Sequence, residues 1–354
     1  MVDGAKIRLY FSNKNTNEKV VISSVTVGKN AEFTVDSTDR ADKTIDIKKV
    51  TFNKKSKCKL AKNATIYSDE IDYPVKKGEM LSVSLYLKDY TNLSTGTCLS
   101  GRYSFGYIAE GNCVYEESMP LYVSRDTSKN YLLYGVDVLT DSDAGAIVCF
   151  GDSITAQSWP DELAYLTFNS SSNDTVVRKA ISGSRIFRTY RNKANVHYGE
   201  AGVKRFEENI QSVAGARAVV ILHGINDIIH PDGSVYRPME MLPSSEEIIN
   251  AYENKYIATA RRNGLKVYFG TILPFKGWRS YADEREQIRS AVNDWLRTTD
   301  KIDGYIDFDE LLKDSEDALK LKPEYTSDCL HPTPLGATIM AKAVFEKLFS
   351  EVDA

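Results

Sequence analysis

The sequence lacks the features on which membrane-spanning and nucleic-acid-binding proteins depend. No apolar run approaches the roughly 18 residues that a spanning helix needs, and the run Ala146–Phe150 predicts a buried strand instead. The 45 basic and 49 acidic residues give a net charge of −4, without the basic excess of a nucleic-acid binder. The lysines crowded into Lys43–Lys62 are interpreted as an edge hairpin protected from aggregation, with a patch for an anionic polymer as the alternative. We therefore expect neither a membrane nor a nucleic acid among the partners.

Cysteine is also scarce. The five cysteines are widely spaced and form no Cys-x-x-Cys pair, which argues against a zinc site. Cys98 and Cys113 could pair across a hairpin, but free thiols are the favoured interpretation. Reduced cysteines, together with an N-terminus that runs from Met1 directly into a strand-like segment, predict a cytoplasmic protein without a signal peptide. Residues missing upstream would change that expectation.

Length predicts two domains, because 354 residues exceed what one hydrophobic core usually serves. Up to about Leu139, apolar and polar residues alternate, and clusters of Gly, Asn, Asp and Lys separate short strand candidates. Many short strands with turns between them predict an antiparallel β-sandwich of jelly-roll type over residues 1–140. The predicted strands are Lys6–Phe11, Lys19–Val27, Ala31–Val35, Thr44–Phe52, Met80–Leu87 and Tyr131–Val138.

Beyond a linker at Asp141–Gly145, strands and helices alternate, which predicts a parallel sheet covered by helices on both faces over residues 145–354. The predicted strands are Ala146–Phe150, Val176–Ala180, Ala218–His223, Lys266–Leu273 and Gly304–Phe308. The predicted helices are Trp159–Leu166, Ser245–Asn263, Tyr281–Thr298 and Gly336–Phe349. In such sheets the active site lies at the carboxyl ends of the strands, so the residues that follow each strand are the candidates for chemistry.

Two candidates follow the first two strands. Ser153 lies in the turn Gly151–Thr155, where its hydroxyl would be exposed above the sheet and nearby backbone N–H groups would stabilise negative charge. An N-cap serine is an equally good interpretation of Ser153 taken alone, and the chain has no Gly-x-Ser-x-Gly pattern. Gly183 would allow a strained backbone and a close approach of its N–H to a ligand, although an ordinary turn glycine is the simpler interpretation.

The other candidates follow the third and the last strand. Asn226 offers a neutral N–H donor that could point at an oxyanion, although it could also be a turn residue that bonds its own backbone. Asp328 precedes His331 by three residues and can accept a hydrogen bond from the ring Nδ1, which leaves Nε2 free as a base. Asp152 and Asp227 are interpreted as residues that hold their turns together.

The candidates fall in four short blocks, Gly151-Asp152-Ser153, Gly183, Gly224-x-Asn226-Asp227 and Asp328-x-x-His331. Together these blocks resemble the consensus of the SGNH (GDSL-type) hydrolase superfamily. The resemblance covers about Ala146 to the C-terminus and implies a flavodoxin-like doubly wound parallel sheet. The N-terminal half is similar to the antiparallel β-sandwich that precedes this domain in a subset of bacterial members, many of them carbohydrate esterases. One departure is Cys329, where relatives commonly have a smaller residue.

The resemblance implies a serine esterase. Ser153 would be the nucleophile, His331 the general base, and Asp328 the residue that orients the imidazole. The N–H groups of Ser153 and Gly183 and the side-chain amide of Asn226 would form the oxyanion hole. Hydrolysis would pass through an acyl-serine intermediate and would need no metal or organic cofactor.

The substrate is predicted from aromatic residues and charge. Beyond residue 140 the chain has 25 basic and 32 acidic residues, a balance that suits neutral acylated substrates better than polyanions. We expect the substrate to be a short acyl ester, above all an acetyl ester, of a sugar or oligosaccharide. The alternatives are a lipase or thioesterase acting on longer chains and a carbohydrate-binding protein with a weakly active hydrolase domain; a homo-oligomer is also left open. The candidate substrate-binding residues are Trp159, Phe187, Tyr190, His223 and Trp278.

Overall fold

The computed structural model describes residues 2–14, 16, 18–31, 43–93, 96–98, 105–118, 125–127, 129–190, 196–231 and 242–349. The chain divides into two compact units, Met1–Ala144 and Gly145–Ala354. The boundary between the units falls inside the segment Asp141–Gly145.

The first unit is built from β-strands, and its described residues include no helix. Because most of these strands are only two to seven residues long, many turns separate them. The strands are β1 (Gly4–Ser12), β2 (Val20–Ile22), β3 (Ser24–Asn30), β4 (Thr44–Val50), β5 (Cys58–Leu60), β6 (Thr65–Tyr67), β7 (Ile71–Val75), β8 (Leu81–Tyr86), β9 (Thr97–Cys98), β10 (Gly106–Ile108), β11 (Arg125–Thr127), β12 (Lys129–Asn130) and β13 (Leu133–Leu139).

These strands form antiparallel sheets around one core. β1 pairs with β13 on one side and with β6 and β7 on the other, while β3 pairs with β4 and β8. Alternate residues of β1, Ile7, Leu9 and Phe11, are buried and pack in the same cluster as the valines of β3. Two antiparallel sheets whose inner faces share a core make a β-sandwich, as the sequence predicted. β4, which carries part of the lysine-rich segment, is paired on one side only among the described residues.

The predicted strands of this unit need three corrections. The segment Lys19–Val27 is divided at Ser23 into β2 and β3. The strands β5, β6 and β7 were not predicted, because three-residue strands are too short to show periodicity and β7 contains Pro74. Of the predicted strand Ala31–Val35, only Ala31 belongs to the described residues, and it forms a bend.

The second unit contains a five-stranded parallel sheet. Its strands are β14 (Ala146–Gly151), β15 (Thr175–Ala180), β16 (Ala216–Leu222), β17 (Lys266–Gly270) and β18 (Gly304–Ile306). Their order is β15-β14-β16-β17-β18, which is the 2-1-3-4-5 order of flavodoxin-like doubly wound folds. All six residues of β14 are buried, so both faces of the sheet are covered, as parallel sheets require.

Helices cover this sheet. α2 packs against β15 and α9, whereas α3 packs against β14, β16 and α6. The helix predicted over Ser245–Asn263 consists of two α-helical parts joined by a π-helical segment at Tyr252–Ile257. The short helices α1, α4 and α8, and also α3, were not predicted. The helices are α1 (Ser153–Ala156), α2 (Trp159–Phe168), α3 (Gly202–Gln211), α4 (Ile225–Ile229), α5 (Ser245–Ala251), α6 (Ala258–Arg262), α7 (Asp283–Thr298), α8 (Phe308–Leu312) and α9 (Pro334–Phe349), with 3₁₀ turns at Val196–Tyr198 and Pro323–Tyr325.

Candidate active site

Ser153 lies immediately beyond the central strand β14, as the first residue of α1. The turn between strand and helix is tight, since a Cβ at Gly151 would lie 2.2 Å from the carbonyl oxygen of Leu222. The next residue, Asp152, caps the helix, because its Oδ1 accepts a hydrogen bond from the N–H of Ile154 at 3.1 Å. The cap is therefore Asp152, and the hydroxyl of Ser153 remains available for another partner.

That partner is His331. The Oγ of Ser153 lies 2.8 Å from Nε2 of His331, and the ring Nδ1 of His331 lies 2.7 Å from Oδ2 of Asp328. A carboxylate can only accept, so Nδ1 carries the proton and Nε2 is the acceptor for the Ser153 hydroxyl. The side chains of His331 and Asp328 are 26% and 39% exposed, so the site is open to a ligand.

The loop that carries Asp328 and His331 is fixed by its own hydrogen bonds. The other oxygen of Asp328, Oδ1, accepts from the N–H groups of Leu330 at 3.0 Å and His331 at 2.7 Å. Partial burial alone would raise the pKa of Asp328, but the hydrogen bonds from the main chain and ring of His331 outweigh it and hold the pKa below its ordinary value. Asp328 is therefore ionised wherever His331 acts as a base. An isolated antiparallel bridge between Thr326 and Pro332 closes the loop.

Gly183 lies in the turn that follows β15. The N–H of Ser184 donates to the carbonyl oxygen of Ile181 at 3.0 Å, and Gly183 has a φ of +77°. A side chain is disfavoured there for two reasons: the left-handed backbone suits glycine, and a Cβ would lie 2.2 Å from the ring of Tyr198. Glycine is thus required by both the backbone and the neighbouring ring.

Asn226 is held against the same turn from the opposite side. It lies in the first turn of α4, behind Gly224, whose φ is +142°. Its Nδ2 donates to the carbonyl oxygen of Ser184 at 3.1 Å, which uses one of the two amide hydrogens and leaves the other for a ligand. The hydrogen bond joins the Asn226 helix to the Gly183 turn, so two of the candidate oxyanion donors belong to one hydrogen-bonded assembly.

The two buried carboxyls in these blocks are parts of the scaffold. Burial raises the pKa of Asp152 to about 7 and that of Asp227 to about 6. Asp227 accepts hydrogen bonds from the N–H groups of Ile186 at 2.7 Å and Phe187 at 3.3 Å. It therefore ties α4 to the chain beyond Gly183, in agreement with the turn-holding role expected from the sequence.

Three of the predicted substrate-binding residues lie in the interior, so for them the structure corrects the prediction. Trp159 is 1% exposed and packs near Phe308 in the core. Tyr190 is 7% exposed, and its hydroxyl lies 2.6 Å from Nδ1 of His230. His223 is 2% exposed; burial lowers the pKa of its ring, which stays neutral. Its Nε2 donates to the carbonyl of Ser184, and its Nδ1 pairs with the Tyr256 hydroxyl. Proximity along the chain to the catalytic edge does not reveal burial.

The other two predicted residues are partly exposed. Trp278 stands edge-on to His331, with 6.2 Å between the ring centroids and an interplanar angle of 84°. Phe187 lines a cavity of about 200 Å³ whose lining does not include Ser153 or His331; the other lining residues are Arg185, Arg188, Asp227, Pro231, Leu242, Pro243 and Glu247. Trp278 is thus the predicted aromatic residue that the structure brings to the reacting groups.

Two residues near the site were missed by sequence reasoning. Tyr198 covers Gly183 with its ring, and that ring also stacks on His230 with a centroid distance of 5.4 Å. Arg205, on α3, is buried and donates to the carbonyl oxygen of Gly151 at 2.8 Å. Neither lies in a recognisable block, and neither directly follows a strand, so the sequence carried no signal for them.

Other kinds of site were searched in the described part of the chain. Among those residues, no group of three or more His, Cys, Asp or Glu side chains could hold a metal ion. None of the described helices combines the length and apolar character needed to cross a bilayer. The thiol of Cys113 is free.

Comparisons with known proteins place these observations in context. A protein described as an acylhydrolase from Bacteroides fragilis matches with 20% identity and a TM-score of 0.43, over 58% of this chain and 88% of its own. A GDSL-like lipase from Bacteroides thetaiotaomicron matches with 21% identity and a TM-score of 0.41, over 58% and 88% of the two chains. An acetyl xylan esterase matches with 16% identity and a TM-score of 0.43, over 58% of this chain and 100% of its own. A search of curated proteins found no match.

A family model decides the matter. The model of the GDSL-like lipase/acylhydrolase family matches residues 149–339, which is more than half of the chain and includes all four sequence blocks. The chain therefore belongs to the GDSL-like lipase/acylhydrolase family, and it is an ester hydrolase.

Proposed function

We propose that this ester hydrolase removes short acyl groups, above all acetyl, from a sugar or oligosaccharide through an acyl intermediate on Ser153. The observation that carries the proposal is the continuous hydrogen-bonded chain from Ser153 through His331 to Asp328, with steps of 2.8 and 2.7 Å. A serine hydroxyl is barely acidic, so it becomes a nucleophile only when a positioned base takes its proton during attack. The chain of contacts supplies that base and fixes its tautomer.

The first half of the reaction transfers the acyl group to the enzyme. His331 Nε2 takes the proton of Ser153 as Oγ forms a bond to the carbonyl carbon of the ester. The resulting oxyanion is stabilised by the N–H groups of Ser153 and Gly183 and by the second amide hydrogen of Asn226, and one such donor typically contributes about 3–4 kcal/mol. The bond to the leaving alcohol then breaks, and His331 returns its proton to that oxygen.

The second half releases the acid. Water attacks the acyl-Ser153 ester while His331 Nε2 again takes a proton, and the restored Ser153 hydroxyl leaves with the proton from the imidazolium. Asp328 stays ionised throughout, because its pKa is held below the ordinary value. It stabilises the imidazolium in both halves without accepting the proton itself.

Two aromatic rings support a short acyl group. The Tyr198 ring occupies the space where a Cβ of Gly183 would lie, and the Trp278 ring stands edge-on to His331. Rings packed against both the candidate oxyanion turn and the base restrict the room beside the carbonyl carbon, which favours acetyl over long chains. The partly exposed ring of Trp278 also offers an apolar surface of the kind that packs against a sugar ring.

A chain-length series tests the proposal. We expect p-nitrophenyl acetate to give the highest kcat/KM among esters from C2 to C16, and acetate to be released from acetylated xylan, acetylated mannan or simple sugar acetates. Highest turnover on chains of C12 or longer would show a lipase or thioesterase instead. Binding of these glycans without release of acetate by the intact protein would show a carbohydrate-binding protein. Ser153→Ala serves as the control for any background hydrolysis.

A further inference from the structure

Arg205 is a buried cation below the candidate active site. Its residue is 5% exposed, and its guanidinium carbon lies 4.2 Å from the ring centroid of Phe150, in β14. Burying a guanidinium is costly unless its N–H groups are satisfied by well-placed acceptors. The acceptors that satisfy Arg205 therefore show what the charge is used for.

Those acceptors lie at the ends of neighbouring strands. Nη2 donates to the carbonyl oxygen of Gly151 at 2.8 Å and to Oγ of Ser184 at 3.1 Å. Nη1 donates to the carbonyl oxygen of Lys179 at 3.1 Å and to Oδ1 of Asn209 at 3.0 Å. One planar group thus fixes the end of β14, the end of β15 and the residue after Gly183 relative to one another.

The fixed segments are the ones that carry the candidate oxyanion donors. Gly151 precedes Ser153 by two residues, and Ser184 directly follows Gly183. The carbonyl oxygen of Ser184 in turn accepts the hydrogen bond from Nδ2 of Asn226. All three donors are therefore one or two links away from the same guanidinium.

We infer that Arg205 is a positioning residue that holds the Ser153 and Gly183 N–H groups, and through Ser184 the Asn226 amide, at the spacing required by a developing oxyanion. It does not touch the reacting atoms, and the inference rests on the proposed function. Donors aimed at a transition state lose much of their effect when they shift by a fraction of an ångström, so such a residue acts on kcat more than on KM. Lysine is a poor substitute, because a single ammonium cannot reproduce the planar fork.

The first test is Arg205→Lys, assayed on p-nitrophenyl acetate beside the wild type. We expect kcat to fall by about 100-fold while KM changes less than about threefold, the pattern of an interaction realised only in the transition state. The matched control is Arg297→Lys, which also removes a forked arginine, one that binds Asp307 and Asp309. The control should change thermal stability but leave kcat per folded molecule unchanged.

The second test uses a gentler variant and a rescue. Ser184→Ala removes one acceptor of Arg205 and leaves the main chain intact; we expect kcat to fall by about 3- to 10-fold. In the Arg205→Lys background the same substitution should have almost no further effect, because the two residues act through one contact. For Arg205→Ala, added guanidinium, at concentrations far below those that unfold proteins, should restore part of kcat. A purely structural role would not produce a rescue of kcat in already folded enzyme.

The outcomes separate the two proposals. If the wild type releases no acid from any short ester, or if Ser153→Ala remains active, the proposed function fails and the inference fails with it. If the wild type is active and Arg205→Lys matches its kcat, the inference alone is overturned. It is also overturned if Arg205→Lys and Ser184→Ala reduce kcat independently. Should Arg205→Lys not fold, an unchanged kcat in Ser184→Ala, which deletes a single hydroxyl, is sufficient to overturn it.

Discussion

Asp328 binds His331 twice, once through the ring and once through the main chain. One carboxylate oxygen lies 2.7 Å from the ring Nδ1, and the other accepts the His331 N–H at 2.7 Å. The ring of His331 is therefore oriented by the same group that fixes its backbone. A change at Asp328 alters the tautomer and the loop at once, whereas a change at Ser153 alters neither.

The first prediction concerns the nucleophile and the base. Ser153→Ala and His331→Ala should each lower kcat by at least about a thousandfold, because the two residues act as a unit. Neither should unfold the chain, since both side chains are partly exposed, and circular dichroism with a thermal scan checks this. The control is Ser158→Ala, at the N-cap of α2, where the hydroxyl makes no capping hydrogen bond. Near-normal turnover by Ser153→Ala would contradict the assignment.

The second prediction concerns Asp328→Asn. An amide can still accept the main-chain hydrogen bonds, but it no longer stabilises an imidazolium or enforces the tautomer with a proton on Nδ1. We expect kcat to fall by about 10³- to 10⁴-fold while a measurable activity remains. A steady-state assay against Ser153→Ala, which sets the background, measures the difference. Equal activity of Asp328→Asn and the wild type would remove Asp328 from the site.

The third prediction concerns Asn226→Ala. Loss of one oxyanion donor should lower kcat by about 10²- to 10³-fold and change KM much less. The variant also loses the hydrogen bond to the Ser184 carbonyl, so the melting temperature should be measured in parallel. Asn254→Ala, at an exposed position of the π-helical segment, is the control. An Asn226→Ala enzyme with raised KM and normal kcat would point to substrate binding instead.

The fourth prediction separates backbone strain from crowding at Gly183. Gly183→Ala should destabilise the fold by about 1–3 kcal/mol and reduce activity, because the new methyl group collides with the Tyr198 ring and the backbone is left-handed. Gly264 has a similar φ of +73°, but a Cβ there would meet nothing within 4 Å. Gly264→Ala should therefore show only the backbone penalty and keep full activity. Equal losses in the two variants would mean that the Tyr198 contact is unimportant.

The fifth prediction is a pH dependence of stability that originates at Asp152. Burial raises its pKa from 3.8 to about 7, so between these values the folded chain holds a proton that the unfolded chain has lost. Stability from this group is present below about pH 4 and is lost as the pH rises to about 7, a change on the order of 4 kcal/mol. Asp152→Asn removes this term. Its melting temperature relative to the wild type should therefore be higher at pH 8 than at pH 5.

A control with the opposite sign is available for that experiment. The hydrogen bond from Lys276 lowers the pKa of the exposed Asp317, whose contribution to stability is lost only in acid. Asp317→Asn should shift the melting temperature by the same amount at pH 5 and pH 8. A parallel response of Asp152→Asn would show that its carboxyl ionises normally in the fold.

The sheet and the four blocks were predictable because parallel strands bring their carboxyl ends to one edge. Ser153, Gly183, Asn226 and the Asp328–His331 pair each follow a buried apolar run, and the sheet order sets the first three on adjacent strands. Local rules also sufficed for the alternation of Ile7, Leu9 and Phe11 in β1. These predictions depended on patterns within a few residues.

The remaining features depend on contacts between distant segments. Arg205 finds its acceptors 21 to 54 positions away, and only the fold brings them within reach. Burial of Trp159 and His223 likewise follows from packing against α8 and the π-helical segment rather than from their own neighbours in sequence. A sequence shows that an aromatic residue stands near an edge, but not on which side of the surface it lies.

The π-helical segment has an evolutionary consequence. A π-turn holds one residue more than the α-helix allows, and each residue rotates the helix by about 100°. The face of α5 that packs on α7 and the face of α6 that packs on β17 and α3 are therefore offset by one insertion. Loss of a single residue from Tyr252–Ile257 would restore an ordinary helix and turn the buried Ala260 away from the sheet. Length in this stretch is thus under selection even where the identity of its exposed side chains is not.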